Sequence, residues 1–436
     1  AKERLEQLKN DDANPDLSSL TPTQIRHLKN RKNPKNKTRL QNLETKRLKA
    51  AVSALQAVDI LQSDQAGVLE AEHELERTTA VTQAELKRKH LDEATARNIF
   101  DLQLSDYAPY IVAADRSGRH ALLAGQGGHV AILETTNLSM VTEFHLPNER
   151  IRDATFLHDF SLSAIAQRNH VYIYDQTGAE IHCLDEHRDP LVLEYLPYHW
   201  LLSSIGRTGV LRYQDVSTGQ LVATHRTKLG PPGALTQNPA NAVLHAGHSN
   251  GTVTLWSPAS STYLAKMLCH KGAAILDVAV DLAGQTMVTA GMDRQIKVWD
   301  LRMYKERHSY FCRGGVPTSL DISQRNLLAI GHGSHVTLWG ADALQQKTKS
   351  PYMHHLLGPG GDNYGQGPVH KVCFRPFEDS LWIGNQNGVS SIVVPGAGEP
   401  VRDTAEDPID SKQRREFQVR SLLDKLAPEM ITIDCN

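Results

Sequence analysis

Seven short stretches of the sequence share one pattern, in which an apolar strand leads through a two-residue turn into a second apolar strand. Successive turns lie 41, 40, 42, 43, 40 and 54 residues apart. The turns are Gly127-Gly128, Arg168-Asn169, Thr208-Gly209, Asn250-Gly251, Asp293-Arg294, Gly333-Ser334 and Asn387-Gly388. A period near 40 residues with four strands per unit is typical of a β-propeller. The spacing therefore predicts an all-β fold with seven blades.

The chain of 436 residues is longer than seven blades require, because one blade takes roughly 40–45 residues. We expect a basic N-terminal arm over 1–98, partly extended and partly helical, a propeller over 99–400 and a C-terminal tail over 401–436. Helical spacing of apolar residues predicts one helix over 40–63. A second helix is predicted over 69–98, where the apolar face is thin. The arm is expected to lie at some distance from the propeller.

The segment 99–105 (IFDLQLS) alternates like a strand, and the sequence after Val394 offers no good fourth strand for the last blade. We therefore expect 99–105 to close the ring as the outermost strand of that blade, which removes a free sheet edge. A Gly- and Pro-rich loop is expected over 358–368. The blades are predicted at 110–146, 150–187, 191–229, 233–268, 273–312, 316–357 and 369–396.

The fifth predicted blade contains ILDVAVDLAGQTMVTAGMDRQIKVWD, which resembles the WD40 repeat. His270, Thr289, Asp293 and Trp299 stand at the positions where that family places a series of hydrogen-bonded side chains. The resemblance implies that these four residues hold the blade together. Because a buried polar network requires a partner for each member, their role is predicted to be structural.

The 21 histidines and five cysteines are scattered without HExxH or CxxC spacing. The odd number of cysteines without paired spacing favours a reducing compartment. No apolar run is long enough to span a membrane. We therefore predict a protein that is not an enzyme and that has no catalytic residue, metal, cofactor, small-molecule substrate or membrane contact. A hydrolytic or metal enzyme would need a convergent polar site in the central channel.

The strongest charge signal lies between Arg26 and Lys49, where ten basic residues and one acidic residue give a net charge of +9. Such density favours binding to phosphate backbones. No aromatic residue interleaves the basic ones, so we expect little base stacking and little sequence preference. A nuclear import signal, or merely a soluble tail, would also fit. The candidate RNA-binding residues are Arg26, Lys29, Arg31, Lys32, Lys35, Lys37, Arg39, Lys46, Arg47 and Lys49.

A second basic group lies in the tail. Val419, Leu422, Leu423 and Leu426 follow helical spacing until Pro428 ends the pattern. This spacing predicts an amphipathic helix with a basic polar face. The residues expected on that face, and offered as further RNA-binding candidates, are Lys412, Arg414, Arg415 and Arg420.

The segment Trp299-Asp300-Leu301-Arg302 allows a different interpretation. It resembles the box by which some WD-repeat propellers dock onto adaptors of cullin-ring ubiquitin ligases. The alternative function is therefore a substrate receptor of such a ligase. The same four residue types also occur in WD repeats for structural reasons alone.

The C-terminal region resembles one family. The run Pro395-Gly396-Ala397-Gly398-Glu399-Pro400 and the segment KQRREFQVRSLLDKLAPEMI, which begins at Lys412, are similar to the nucleolar WD-repeat proteins of the small-subunit processome (the WD-repeat protein forty-six and U-three-associated protein seven family). The resemblance implies a non-enzymatic scaffold for pre-rRNA processing and small ribosomal subunit assembly in the nucleolus. It further implies contacts with pre-rRNA, U-three small nucleolar RNA and other assembly factors, including other propeller proteins.

Overall fold

The computed structural model describes residues 43, 46, 67–71, 76–358, 367–399 and 411–433. The chain divides into two compact units, Ala1–Gln65 and Ala66–Asn436. In the first unit, Leu43 and Lys46 are helical and exposed, and the rest of the helix predicted over 40–63 lies outside the described residues. Most of the loop predicted over 358–368 also lies outside them.

Seven four-stranded antiparallel sheets make up the second unit, which confirms the predicted all-β propeller with seven blades. In blades 1 to 6, four consecutive strands lie side by side from the central channel to the rim. Blade 1 contains β2 Tyr110–Ala114, β3 His120–Gly125, β4 His129–Glu134 and β5 Ser139–His145. Blade 2 contains β6 Asp153–Phe156, β7 Leu162–Ala166, β8 Val171–Asp175 and β9 Glu180–Leu184. Blade 3 contains β10 Pro190–Leu196, β11 Leu201–Gly206, β12 Val210–Asp215 and β13 Leu221–Arg226.

The next three blades repeat this order. Blade 4 contains β14 Pro232–Gln237, β15 Leu244–His248, β16 Thr252–Trp256 and β17 Ala265–Leu268. Blade 5 contains β18 Ile275–Val280, β19 Thr286–Gly291, β20 Gln295–Asp300 and β21 Lys305–Phe311. Blade 6 contains β22 Pro317–Ile322, β23 Leu328–His332, β24 His335–Trp339 and β25 Met353–Leu356. The central strands of the blades are almost wholly buried, and their apolar side chains pack between neighbouring sheets, which is where the core lies.

Blade 7 differs because its outermost strand comes from the N-terminal side. The first three strands are β26 Val369–Phe374, β27 Ser380–Asn385 and β28 Gly388–Val393, and the fourth is β1 Phe100–Gln103. The β1 strand pairs antiparallel with β28, with Phe100 opposite Ser391. The ring of Phe100 meets the edge of Trp382 at a centroid distance of 5.2 Å. The propeller is thus closed by a strand that lies within the segment 99–105.

Helices are few and short among the described residues. Besides the helical residues Leu43 and Lys46, they are α1 Gln83–Lys89, α2 Glu93–Ala96, α3 Asp342–Gln345 and α4 Ser411–Leu423, with 3₁₀ turns at Thr78–Ala80, Ser105–Tyr107 and Pro428–Met430. The single helix predicted over 69–98 is therefore wrong. Instead, a short helix, α1, begins after Thr82, whose hydroxyl accepts a hydrogen bond from the Glu85 amide and caps the helix N-terminus. Its buried residues, Gln83 and Leu86, fix α1 against the propeller. No described helix has the length and apolar character needed to cross a bilayer.

The ring has two faces. We define the lower face as the one formed by two kinds of turn within a blade. One kind joins the first strand to the second, for example 157–161, and the other joins the third strand to the fourth, for example 216–220. The upper face holds the connections between blades and the turns that join second to third strands, for example 249–251. Adjacent strands run antiparallel, so all turns of one kind lie on the same face.

Carboxylates on the innermost strands of blades 2, 5 and 6 each bond the following blade. Asp153 on β6 accepts a hydrogen bond of 2.8 Å from the amide of Leu193 in blade 3. Asp277 on β18 accepts one of 2.7 Å from the amide of Leu320 in blade 6. Asp321 bonds the amide at the end of β26 in the same way. These bonds lie around the central channel and give the carboxylates a structural role.

The channel is a cavity of about 290 Å³ in which these carboxylates converge with Glu194 and Lys371. Burial raises the pKa of Glu194 to about 8 and that of Asp321 to about 7. Burial opposes the charge on Lys371, but the surrounding carboxylates outweigh it and raise the pKa of its ammonium group. The polar groups of the channel therefore balance one another's charge in a confined space.

Candidate nucleic-acid interface

The C-terminal segment, residues 411–433, crosses the lower face of blades 2, 3 and 4. The indole Nε1 of Trp200 donates a hydrogen bond of 3.3 Å to the carbonyl of Ser421. Further on, the hydroxyl of Ser257 donates one of 2.6 Å to the carbonyl of Ile431. The Ile431 side chain is only 1% exposed and packs into the core of blades 3 and 4. The segment is therefore held to the propeller at its middle and near residue 431.

The α4 helix is attached to blade 2 through a charged and aromatic contact. The guanidinium of Arg414 lies 3.4 Å from the carboxylate of Asp159 and 4.5 Å from the centre of the Phe160 ring. One turn later, the Phe417 ring stacks toward His158 at 5.7 Å. Burial lowers the pKa of His158 to about 4, so this imidazole is neutral near pH 7. A neutral ring is a suitable packing surface for Phe417.

This attachment reverses part of the predicted helix face. Arg414, expected on the exposed polar face, points to the propeller, whereas Val419 and Leu423 are 59% and 81% exposed. The description of α4 as amphipathic in the predicted orientation is therefore wrong, because the Asp159 and Phe160 partners favour Arg414 on the inner side. The other predicted cations lie on the outer face with the exposed apolar side chains: Lys412, Arg415 and Arg420.

The ion pair of Lys425 gives a test of how firmly the segment is held. Its ammonium donates to the carboxylate of Asp215 and, at 2.8 Å, to the hydroxyl of Ser217. Burial alone would raise the pKa of Asp215, but the hydrogen bonds from Lys425 and Ser217 outweigh it and lower that pKa. We expect Lys425→Ala to cost about 1.5–3 kcal/mol of local stability, since charge-assisted hydrogen bonds contribute that much.

Limited proteolysis measures this effect, and cleavage within 411–433 should become roughly ten- to a hundredfold faster in Lys425→Ala. The matched control is Lys412→Ala, because the Lys412 side chain is 88% exposed and lies 4.0 Å from Glu416. Equal cleavage rates in Lys425→Ala and the unaltered chain would show that this ion pair does not hold the segment.

From residue 67 onward, the described part of the N-terminal arm also packs on the lower face, at blades 6 and 7. The Gln83 side chain makes two hydrogen bonds to the backbone of Val393, of 2.8 Å and 3.0 Å. Leu86 is 1% exposed in the core, and the Leu69 amide donates to the Tyr352 hydroxyl. The expectation that the whole arm lies away from the propeller is therefore wrong for its part from 67 onward.

The basic cluster between Arg26 and Lys49 lies almost entirely outside the described residues. Lys46 alone of its ten cations is described, as an exposed helical residue. The proposed contacts of the cluster with RNA phosphates thus remain a prediction. The described cations of the tail and those of the cluster belong to different units of the chain.

The four residues expected to hold blade 5 together do form one series of hydrogen bonds. Trp299 Nε1 donates to the Thr289 hydroxyl at 3.2 Å, and that hydroxyl lies 3.0 Å from His270 Nε2. The other ring nitrogen of His270 lies 3.1 Å from the Asp293 carboxylate. Because a carboxylate only accepts, we assign the His270 proton to Nδ1, so Thr289 donates to Nε2. His270 is fully buried, as a structural histidine would be.

Comparison with known proteins supplies the family. Residues 351–434 match the BING4CT (NUC141) domain, and residues 261–300 match the WD domain, G-beta repeat. Over 405 residues the chain is 42% identical to the U3 small nucleolar RNA-associated protein 7 of Saccharomyces cerevisiae, covering 89% of this chain and 71% of that protein. The chain belongs to the family of the U3 small nucleolar RNA-associated protein 7. The resemblance inferred from the C-terminal motifs is thereby confirmed.

Animal members of the family are similarly related. The chain is 40% identical to the human WD repeat-containing protein 46 over 401 residues, which cover 91% of the chain and 64% of that protein. The mouse protein of the same name is 39% identical over 401 residues. The chain thus spans somewhat less than two thirds of these two animal relatives.

Nothing in this family membership supports the ligase alternative. In the structure, Asp300 pairs with Arg307 at 2.8 Å, and Arg302 lies 3.5 Å from the same carboxylate. The Arg307 and Arg302 hydrogen bonds, despite partial burial, lower the pKa of Asp300 to about 2. These contacts give the Trp299–Arg302 segment a structural explanation within blade 5.

Sequence reasoning missed further histidine networks in this family member. In blade 4, His248 Nε2 and Trp256 Nε1 both lie within 2.8 Å of the Thr254 hydroxyl. In blade 1, His129 Nε2 lies 2.9 Å from Glu143, and with His145 these residues place three potential ligand atoms within 4.8 Å of one another. No spacing motif in the sequence marks these networks, because it is the strand register that places His129 opposite His145.

Proposed function

We propose that this chain is a non-enzymatic scaffold of the small-subunit processome in the nucleolus, where it takes part in pre-rRNA processing and small ribosomal subunit assembly. The observation that carries the proposal is the 42% identity over 405 residues to a protein named for its association with U3 small nucleolar RNA. The geometry supports a binding role, because the propeller presents two terminal segments on one face.

In this proposal the terminal segments contact RNA and assembly factors, with pre-rRNA and U3 small nucleolar RNA as the nucleic-acid partners. The outer face of α4 offers Lys412, Arg415 and Arg420 beside exposed apolar side chains. Such a mixture suits a surface that meets phosphates and a protein neighbour together. The basic cluster supplies the larger charge and binds phosphates without base preference.

In-cell crosslinking tests the proposal as a whole. We expect crosslinks from the chain to pre-rRNA and to U3 small nucleolar RNA, together with sedimentation of the chain in large pre-ribosomal particles. A chain that sediments only as a free protein and yields no such crosslinks would refute the scaffold role.

The basic cluster has a sharper test of its own. Replacing Lys29, Arg31, Lys32, Lys35, Lys37 and Arg39 by alanine should weaken RNA binding and reduce the slope of log K against log salt by up to about 4, since each lost phosphate contact on a single strand contributes roughly 0.7. The measurement is binding of a labelled single-stranded RNA at several salt concentrations. The matched control replaces six exposed cations of the propeller instead: Arg207, Arg226, Lys228, Lys266, Lys271 and Lys305. An unchanged slope would leave the cluster with the import-signal or soluble-tail interpretation.

A further inference from the structure

Three side chains that can bind a metal meet on the rim of blade 1, at the upper end of its two outer strands. His129 begins β4 and His145 ends β5, and strand register places them directly opposite each other. Glu143 lies two residues before His145 and therefore points to the same side of the sheet. Each of the three offers a ligand atom, and these atoms all lie within 4.8 Å of one another. Glu143 and His145 are exposed, so solvent reaches the group.

The buried member of the group is held in a fixed orientation. His129 is only 4% exposed, and the hydroxyl of the fully buried Tyr110 lies 2.8 Å from its Nδ1. The other ring nitrogen, Nε2, lies 2.9 Å from the Glu143 carboxylate. A hydrogen-bonding partner on the far ring nitrogen is what orients a histidine that binds a metal. His129 therefore presents Nε2 toward Glu143 before any ion binds.

The exposed imidazole of the group is also positioned. The ring of Tyr107, from the 3₁₀ turn that follows the closing strand, stacks on His145 at a centroid distance of 5.0 Å and an interplanar angle of 27°. The rings of His129 and His145 lie 5.0 Å apart. Tyr107 thus restricts the rotamers of His145, which reduces the conformational entropy that this side chain loses when it binds an ion.

We propose that His129, Glu143 and His145 bind one Zn²⁺ ion, with water in a fourth position that faces solvent. Two imidazoles and one carboxylate form a donor set that zinc accepts in a tetrahedral site with an open position. With zinc–ligand bonds of about 2.0–2.2 Å, the ligand atoms of such a site are roughly 3.3–3.6 Å apart. The observed separations are 2.9 Å between His129 and Glu143 and at most 4.8 Å for the others, so small rotations of the two exposed side chains complete the site.

A plain hydrogen bond between His129 and Glu143 is the competing interpretation. It explains the 2.9 Å distance, because a protonated Nε2 donates to a carboxylate. It does not explain why register and the Tyr107 ring hold His145 beside the other two residues. When zinc binds the lone pair of Nε2, the ring carries its proton on Nδ1, which then donates to the Tyr110 hydroxyl.

The sequence-based expectation of no metal rested on spacing along the chain. Motifs such as HExxH and CxxC mark ligands that lie close together in sequence, whereas these three residues meet across two strands. A zinc ion at this place joins β5, the outermost strand of blade 1, to its neighbour β4. The inference concerns a metal site and goes beyond the proposed function, on which it does not depend.

Titration of the full chain with Zn²⁺, in competition with a chelator of known affinity, tests the site. His145→Gln and Glu143→Gln each remove one ligand from an exposed position, where the fold is not at risk. We expect each to weaken the tightest zinc site by more than about 100-fold, beyond the effect of losing an outer-shell partner. Tyr110→Phe removes such a partner from His129 and should weaken zinc binding roughly 10- to 100-fold.

Blade 2 supplies a matched control. Glu180 and His182 lie on its outer strand β9 with the same spacing as Glu143 and His145, and both are exposed. Strand register, however, places His182 opposite Ile173 and not opposite a histidine. Glu180→Gln and His182→Gln therefore remove the same chemical groups from an equivalent strand. Both control variants should bind zinc like the unaltered chain.

Equal zinc affinity of His145→Gln and His182→Gln overturns the proposal, and so does an unaltered chain without a zinc site of one equivalent. Amide hydrogen exchange gives a second measurement, in which zinc should slow exchange in β4 and β5 of the unaltered chain and of His182→Gln. Zinc should leave the exchange of His145→Gln unchanged, and equal slowing in that variant would contradict the site. These results are separate from the scaffold role, which RNA crosslinking and sedimentation of the unaltered chain measure.

Discussion

A variant of the chain that begins at Ser105 is expected to aggregate instead of remaining a monomer. It lacks β1, so the backbone groups of β28 lose the partner strand that now covers them. Such an unpaired edge is a template for pairing with other chains. The loss of the Phe100 ring from Trp382 and of the strand's hydrogen bonds should also cost on the order of 5 kcal/mol. Size-exclusion chromatography and denaturant unfolding measure both effects.

The matched control begins at Asp92, since it lacks α1 but retains β1. It should remain monomeric, and the difference between the two variants measures residues 92–104, which contain the closing strand and the short helix α2. A synthetic peptide of residues 98–105 should restore a monomer to the shorter variant by adding a strand to the exposed edge. A shorter variant that is monomeric and unfolds with the same free energy as the Asp92 variant would contradict this account of ring closure.

Thr289→Val is expected to lower the free energy of unfolding by about 2–5 kcal/mol, because two buried groups lose their partner at once. The Thr289 hydroxyl accepts from Trp299 and donates to His270, and Thr289 is fully buried. Valine has nearly the same shape but no hydroxyl, so the change removes hydrogen bonds with little change in packing. Denaturant unfolding followed by circular dichroism measures the effect.

Thr289→Ser is the matched control, because it retains the hydroxyl and loses one methyl group. We expect it to cost about 1 kcal/mol, the value of one buried carbon. If the serine variant is destabilised as much as the valine variant, then packing and not the hydrogen-bond series stabilises blade 5 at this position.

The blades could be predicted because their determinants are local. A strand, its turn and the next strand lie within about twenty residues, and the turn residues are set by backbone conformation. Gly251 shows this well. Its φ is +79°, and a Cβ there would clash with the carbonyl of His270, so only glycine fits the turn without strain.

The inner carboxylates could not be predicted, because each acts on a different blade. Asp153 bonds the amide of Leu193, and Asp277 bonds that of Leu320. In the sequence each appears only as one acidic residue in an apolar strand. The distance between each carboxylate and its partner amide is set by closure of the ring, and no local sequence pattern encodes that closure.

The candidate site could be predicted only in part, because it also depends on contacts between residues that are far apart in the sequence. Spacing located a helix near α4, but the inward orientation of Arg414 depends on Asp159 and Phe160, which lie more than 250 residues earlier in the sequence. The break in the helix expected over 69–98 likewise follows from burial of Leu86 against a distant blade. Tertiary packing outweighed weak helical periodicity in both places.

The closing strand has a consequence for synthesis of the protein. Asp101 and its partner Ser390 are separated by 289 residues. At a translation rate of roughly 5–20 residues per second, β1 therefore waits about 15–60 s after leaving the ribosome before its partner exists. During that interval the earlier blades can form as an open arc, and the ring becomes continuous only after β28 has left the ribosome and paired with β1.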